Sequence, residues 1–98
     1  MAKKTDKYAD GTSFHNVTIK FTVNELIDIL GEPQMDCNDG EDKVNVEWTC
    51  ETSKGVVFSI YDWKTYNPLD YDRVVTWHIG TNEYLESIDA REEILKMI

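Results

Sequence analysis

The chain has 98 residues, of which 41% are hydrophobic and 11% aromatic, and its formal net charge is −9. That length makes one domain, which buries roughly 60–65% of its unfolded surface and so holds a modest core without a metal or a disulfide. The charge repels a phosphate backbone, which argues against direct nucleic-acid binding, and no apolar run approaches the ~20 residues of a membrane span.

The opening, MAKKTDKYADGTS, carries bases but no apolar stretch, so it is not read as a signal peptide. Its polar and small residues predict a flexible arm over 1–13, followed by a single domain over 14–98. Val17, Ile19 and Phe21 alternate with Thr18 and Lys20, predicting a strand over 14–21. Thr22 and Glu25 then form a T-x-x-E capping box, and Val23, Leu26, Ile27 and Leu30 make one apolar stripe. Gly31 ends that helix, and Pro33 blocks its continuation.

An acidic loop, DCNDGED, follows at 36–42. Asp36, Asn38 and Glu47 have the first, third and twelfth places of a calcium loop, but Gly40 is fifth where the sixth must be glycine, so a solvated turn is the better reading. KVNVEWTCE alternates strictly, with Val44, Val46, Trp48 and Cys50 on one face. A turn near 52–54 leads into VVFSIYDW, and pairing Val56, Phe58 and Ile60 with Cys50, Trp48 and Val46 makes the core faces agree. RVVTWHI, 73–79, gives a fourth strand, with Val75, Trp77 and Ile79 inward. After Gly80 the chain reads as helical, with a restart at Asp89 and with Leu85, Ile88, Leu95 and Ile98 facing the sheet.

The order β-α-β-β-β-α predicts an α+β domain: a four-stranded, largely antiparallel sheet with two helices on one face. Its other face then displays Val57, Ser59, Tyr61 and Trp63 from one strand and Val74, Thr76 and His78 from the next. Large aromatics on an uncovered sheet mark either a surface that a loop or the arm folds over or a contact patch. The candidate patch is Tyr61, Trp63, Tyr66, Asp70, Tyr71 and Asp72, flanked by Glu47, Glu51 and His78. Aromatics supply rigid contact area, and interleaved acids favour a protein partner with a basic surface.

Catalytic and metal motifs are lacking. His15 and His78 are the only histidines, no G-x-S-x-G or H-E-x-x-H occurs, and Cys37 and Cys50 make no CxxC pair. The expectation is a non-enzymatic protein with no cofactor, free thiols and a cytoplasmic location. Two alternatives remain. Gly80-Thr81, entering a helix near Tyr61, Trp63 and His78, fits a nucleotide-binding sponge, and the carboxylates between 25 and 72 fit a nucleic-acid mimic. A homodimer through the patch is a further possibility.

The run FSIYDWK, then VVTWHIG, then an acidic helix resembles small acidic proteins encoded by bacteriophages and mobile elements. The helix, LGEP turn and Trp-bearing strand at 26–48 are also similar to the helix-then-sheet units of β-lactamase-inhibitor-like and SmpA-like domains. The first resemblance implies an inhibitor or adaptor acting on a host component, such as a defence system, and implies no catalytic residue.

Overall fold

The computed structural model of the chain describes residues 1–9, 11–37, 43–64 and 67–98. The protein is α+β, with an open antiparallel sheet and two helices. In chain order the elements are β1 (Lys3–Lys4), β2 (Ser13–Phe21), α1 (Val23–Leu30), β3 (Met35–Asp36), β4 (Val46–Glu51), β5 (Val57–Tyr61), β6 (Val75–Thr81) and α2 (Tyr84–Leu95). The sheet runs β1-β4-β5-β6-β2, and β3 also pairs with β4. Among the described residues, six strands therefore take the place of the expected four. The two added strands are pairs of residues, too short to show any alternation.

One of them comes from the segment expected as an arm. Lys3 pairs with Glu51 and Lys4 with Cys50, Ala2 is buried, and Thr5 N–H donates to Thr49 O at 3.0 Å. β3 takes the rest of the same β4 edge, with Met35 opposite Glu47 and Asp36 opposite Val46. The calcium-like spacing of 36–47 thus begins and ends on paired strands, and its middle, 38–42, lies outside the described residues.

α1 forms as its sequence dictates. Glu25 N–H donates to Thr22 Oγ1 at 3.0 Å, and Thr22 N–H donates to Glu25 Oε1 at 2.8 Å, which satisfies two end amides reciprocally. Gly31, at φ 87°, closes the helix with its N–H on Ile27 O. Val23, Leu26 and Leu30 are buried.

The β4–β5 hairpin keeps the predicted faces but not the predicted register. Phe58 lies opposite Cys50 and Ile60 opposite Trp48, two residues from the expected pairing. A shift of two leaves every side chain on its own face, so alternation alone does not separate the registers. The turn is closed by Thr52 N–H on Val56 O and Gly55 N–H on Thr52 O, with Gly55 at φ 83°.

One cluster joins the sheet to both helices: Val17, Ile19, Val46, Trp48, Cys50, Phe58, Ile60, Trp77 and Ile79 with Val23, Leu26, Leu30, Ala90 and Ile94. Trp48 and Trp77 meet edge to face at 5.4 Å. Their indole N–H groups donate to Gly31 O and Phe21 O, which ties the core to both ends of α1.

α2 is continuous through Asp89, with no restart, and it corrects the expected stripe. Ser87, Ala90 and Ile94 are buried, Ile88 is half-buried, and Leu85, Leu95 and Ile98 are exposed. The reason is close approach. Ser87 and Ala90 are small, and the Ser87 hydroxyl bonds Thr81 Oγ1 at the end of β6. Larger side chains at those positions would lift the helix off the sheet.

Candidate functional site

The site grows from two adjacent strands. β5 ends at Tyr61, β6 places His78 directly opposite it, and Trp63 follows as the chain leaves β5. Odd positions of β5 and even positions of β6 point away from the helices, so the three rings share the outer sheet face. The Tyr61 and Trp63 rings meet edge to face at 6.1 Å, Tyr61 and His78 at 5.5 Å, and Trp63 and His78 lie 6.5 Å apart at 30°. Trp63 is 43% exposed, while Tyr61 and His78 are half-buried.

Phe14 completes the cluster and was not among the sequence candidates. It stacks flat on His78, ring centroids 3.8 Å apart. Phe14 pairs with Gly80 but Thr18 with His78, so β2 bulges between them, with Asn16 at φ 64°. Parity along β2 carries the signal: Phe14 shares its face with Thr18 and Lys20.

The charges beside Trp63 are not those the sequence suggests. Lys43 and Lys64 place their ammonium groups 5.9 and 5.7 Å from the Trp63 ring centroid. Lys64 N–H donates to Lys43 O at 2.7 Å, which sets the two residues side by side. Glu47 is the acid at the cluster, directly opposite Tyr61. Burial raises its pKa, and burial together with the Glu47 charge raises that of the Tyr61 phenol. Burial lowers the His78 pKa against a raising pull from Asp62.

Asp62, between Tyr61 and Trp63 in sequence, is fully buried and points the other way. It accepts from Asn45 N–H at 2.8 Å, Val46 N–H at 3.0 Å and Asn45 Nδ2 at 2.9 Å. This clasp fixes the exit of β5 against the entry of β4, and with it the base of Trp63.

The other candidates lie elsewhere. Glu51 is at the β1 edge, held by Lys7 at 2.7 Å and Lys3 at 3.8 Å, and its carboxyl pKa is lowered chiefly by the Lys7 hydrogen bond. Tyr71 packs against the core, and its hydroxyl donates to Asp36 at 2.7 Å, which pushes its pKa up to about 12. Asp72 accepts from Asn24 Nδ2 at 2.7 Å, and Asp70 lies 3.6 Å from Arg73. Tyr71 and Asp72 are thus bound to β3 and α1. Tyr66 lies outside the described residues.

The helix entry after Gly80-Thr81 is already occupied by acids. Glu83 is the N-cap of α2, and its N–H donates to the Glu86 carboxylate at 3.1 Å. Among the described residues, no group of three or more His, Cys, Asp or Glu is placed to hold a metal ion, and no helix is long and apolar enough to cross a membrane. Both cysteines are free. Cys37 is exposed, and Cys50 is buried with its thiol pushed up to about 12 by that burial.

No protein-family model matches the chain, and neither a curated protein nor a solved structure does.

Proposed function

We propose that this chain is a non-enzymatic binding protein, an inhibitor or adaptor of the small phage-encoded type. It engages a protein partner through the outer sheet face around Trp63. The observation that carries the reading is a half-exposed indole set against Tyr61 and His78, with Phe14 stacked on His78, on a sheet face that no helix of the described residues covers. A rigid aromatic centre with Lys43, Lys64 and Glu47 at its rim has the anatomy of an interface hot spot. The net charge of −9 steers a basic partner from a distance, although Glu51, Asp70 and Asp72 do not adjoin the contact itself.

The two lysines over the indole favour a second reading, a nucleotide whose base stacks on the rings and whose phosphates meet Lys43 and Lys64. Pull-down from cell lysate with the wild-type chain and with Trp63→Ala tests the first reading. Loss of the partner with Trp63→Ala, at about 2 kcal/mol or more of binding energy, supports it. Equal capture by both chains rejects it. A thermal-shift screen with mono- and dinucleotides tests the second, since a ligand at 100 times its Kd stabilises by about 2.7 kcal/mol.

A further inference from the structure

The sign of the charge reverses at the exposed indole. The chain has 19 acidic and 10 basic residues, yet Lys43 and Lys64 both hold their ammonium groups over the Trp63 ring, 5.9 and 5.7 Å from its centre. Several other bases are engaged elsewhere: Lys3 and Lys7 meet Glu51, Lys4 donates to Glu32 O, and Arg73 lies near Asp70. Among the described residues neither Lys43 nor Lys64 reaches a carboxylate, and both are exposed.

Lys64 is also strained. Its φ is 52°, in the left-handed region where a side chain crowds the backbone and glycine does not. The bond that sets it beside Lys43, from Lys64 N–H to Lys43 O, uses no side-chain atom, so glycine would make it without strain. Among the described residues the lysine side chain has only the indole as a partner, and the strain points to a use outside the fold.

We infer that Lys43 and Lys64 select an acidic segment of the protein partner, one that lays an apolar side chain on Trp63 and sets carboxylates on the two ammonium groups. This rests on the reading of the Trp63 face as a contact surface, and it gives the contact the opposite sign from the molecule as a whole. A lysine over an exposed ring is a weak contact in water. An apolar side chain on the indole excludes that water, and ammonium–carboxylate bonds at the rim then form in a lower dielectric and are stronger. The net charge of −9 acts over long range and is screened by salt. The lysine pair acts at contact, fixes the docking orientation and repels a Lys or Arg presented there. Carboxylates fit the site better than nucleotide phosphates. The rings stand on an outer sheet face, whereas small ligands are held in clefts. Glu47, opposite Tyr61, borders the rings and repels a multiply charged phosphate more than a single carboxylate.

The probe is a short peptide with one Phe between pairs of Glu. Its controls are the same peptide with Lys for Glu, and AMP. The salt is about 150 mM, which screens charges beyond about 8 Å. NMR titration of the Trp63 indole N–H and the Lys43 and Lys64 amides reads affinity and location for all three. The acidic peptide is expected to bind with a Kd below about 1 mM, at least tenfold tighter than either control. Trp63→Ala and the double variant Lys43→Glu, Lys64→Glu should each weaken it at least tenfold, and Lys43→Arg, Lys64→Arg should keep it. Lys64→Gly should weaken it about threefold or more while the melting temperature holds or rises. Circular dichroism melts show whether each variant folds, and Lys43→Gln, Lys64→Gln replaces the charge reversal if that chain does not. Tighter binding of the basic peptide or of AMP, or no binding of any probe, overturns the acidic segment. Lysate capture separates the two readings. A partner lost in Trp63→Ala but kept in Lys43→Glu, Lys64→Glu retains the contact surface and rejects this inference.

Discussion

Phe14 lies flat against His78, with ring centroids 3.8 Å apart and planes 9° from parallel. The stack joins the β2 bulge to the aromatic cluster and shields one side of the imidazole. Burial keeps the His78 pKa below its ordinary value, the Asp62 charge pulling weakly the other way. The unfolded chain takes up this proton as pH falls below about 6.5, whereas the folded chain resists. The contribution of His78 to stability is therefore intact above that pH and is lost as pH falls through its lower folded value. Glu47 has the opposite sign, because its raised pKa eases a cost as the medium turns acidic. His78→Phe keeps the stack and removes the titration. Between pH 7 and 5 the wild-type melting temperature is expected to fall further than that of His78→Phe in matched calorimetric scans.

Three tryptophans occupy two environments. Trp48 and Trp77 are 0% exposed, and Trp63 is 43% exposed. Acrylamide should quench Trp63 alone in the folded protein, and Trp63→Phe should shift the emission to the blue. Trp63→Phe is expected to cost under about 1 kcal/mol in urea unfolding. Trp77→Phe removes the N–H that donates to Phe21 O and leaves a void, for about 2–4 kcal/mol. Equal costs for the two would place Trp63 in the core and remove the anchor of the proposed contact.

The Asp62 clasp makes a stability prediction of its own. Asp62→Ala leaves the buried amides of Asn45 and Val46 without their acceptor and is expected to cost about 3 kcal/mol or more. Asp62→Asn keeps one acceptor oxygen and should fall between that variant and the wild type. Urea midpoints at constant slope measure both. An unchanged midpoint for Asp62→Ala would mean that the clasp does not fix the exit of β5.

How far the fold is legible depends on which interactions are local. The α1 capping box needs only Thr22 and Glu25, and both of its hydrogen bonds form. The outward placement of Tyr61, Trp63 and His78 needs only strand parity, and it is legible too. The hairpin register and the inward face of α2 depend on distances between elements. Alternation is blind to a shift of two residues, and a hydrophobic stripe does not announce that Ser87 and Ala90 are chosen for closeness. The acids near Trp63 mislead for the same reason. Tyr71 and Asp72 follow it closely in sequence but are drawn to Asp36 and Asn24, 35 and 48 residues away along the chain, while Lys43 reaches the indole through the backbone bond from Lys64.

Gly80 shows how the outer face is built. It lies within β6, opposite Ser59 on one side and Phe14 on the other. A Cβ there would come within 2.7 Å of Ser59 Oγ and 3.5 Å of the Tyr61 ring. The glycine is therefore required by the closeness of the two strands' outer side chains, not by an anion at the helix entry. Gly80→Ala is expected to cost about 1–3 kcal/mol by overpacking and to displace the Tyr61 ring. Ser59→Ala removes the hydroxyl that the new methyl meets, so in the double variant much of the loss should return. A double-mutant cycle in urea should then show coupling of about 0.5–2 kcal/mol between the two positions. Additive effects would place the cost of Gly80→Ala elsewhere and leave the spacing of β5 and β6 unexplained by this contact.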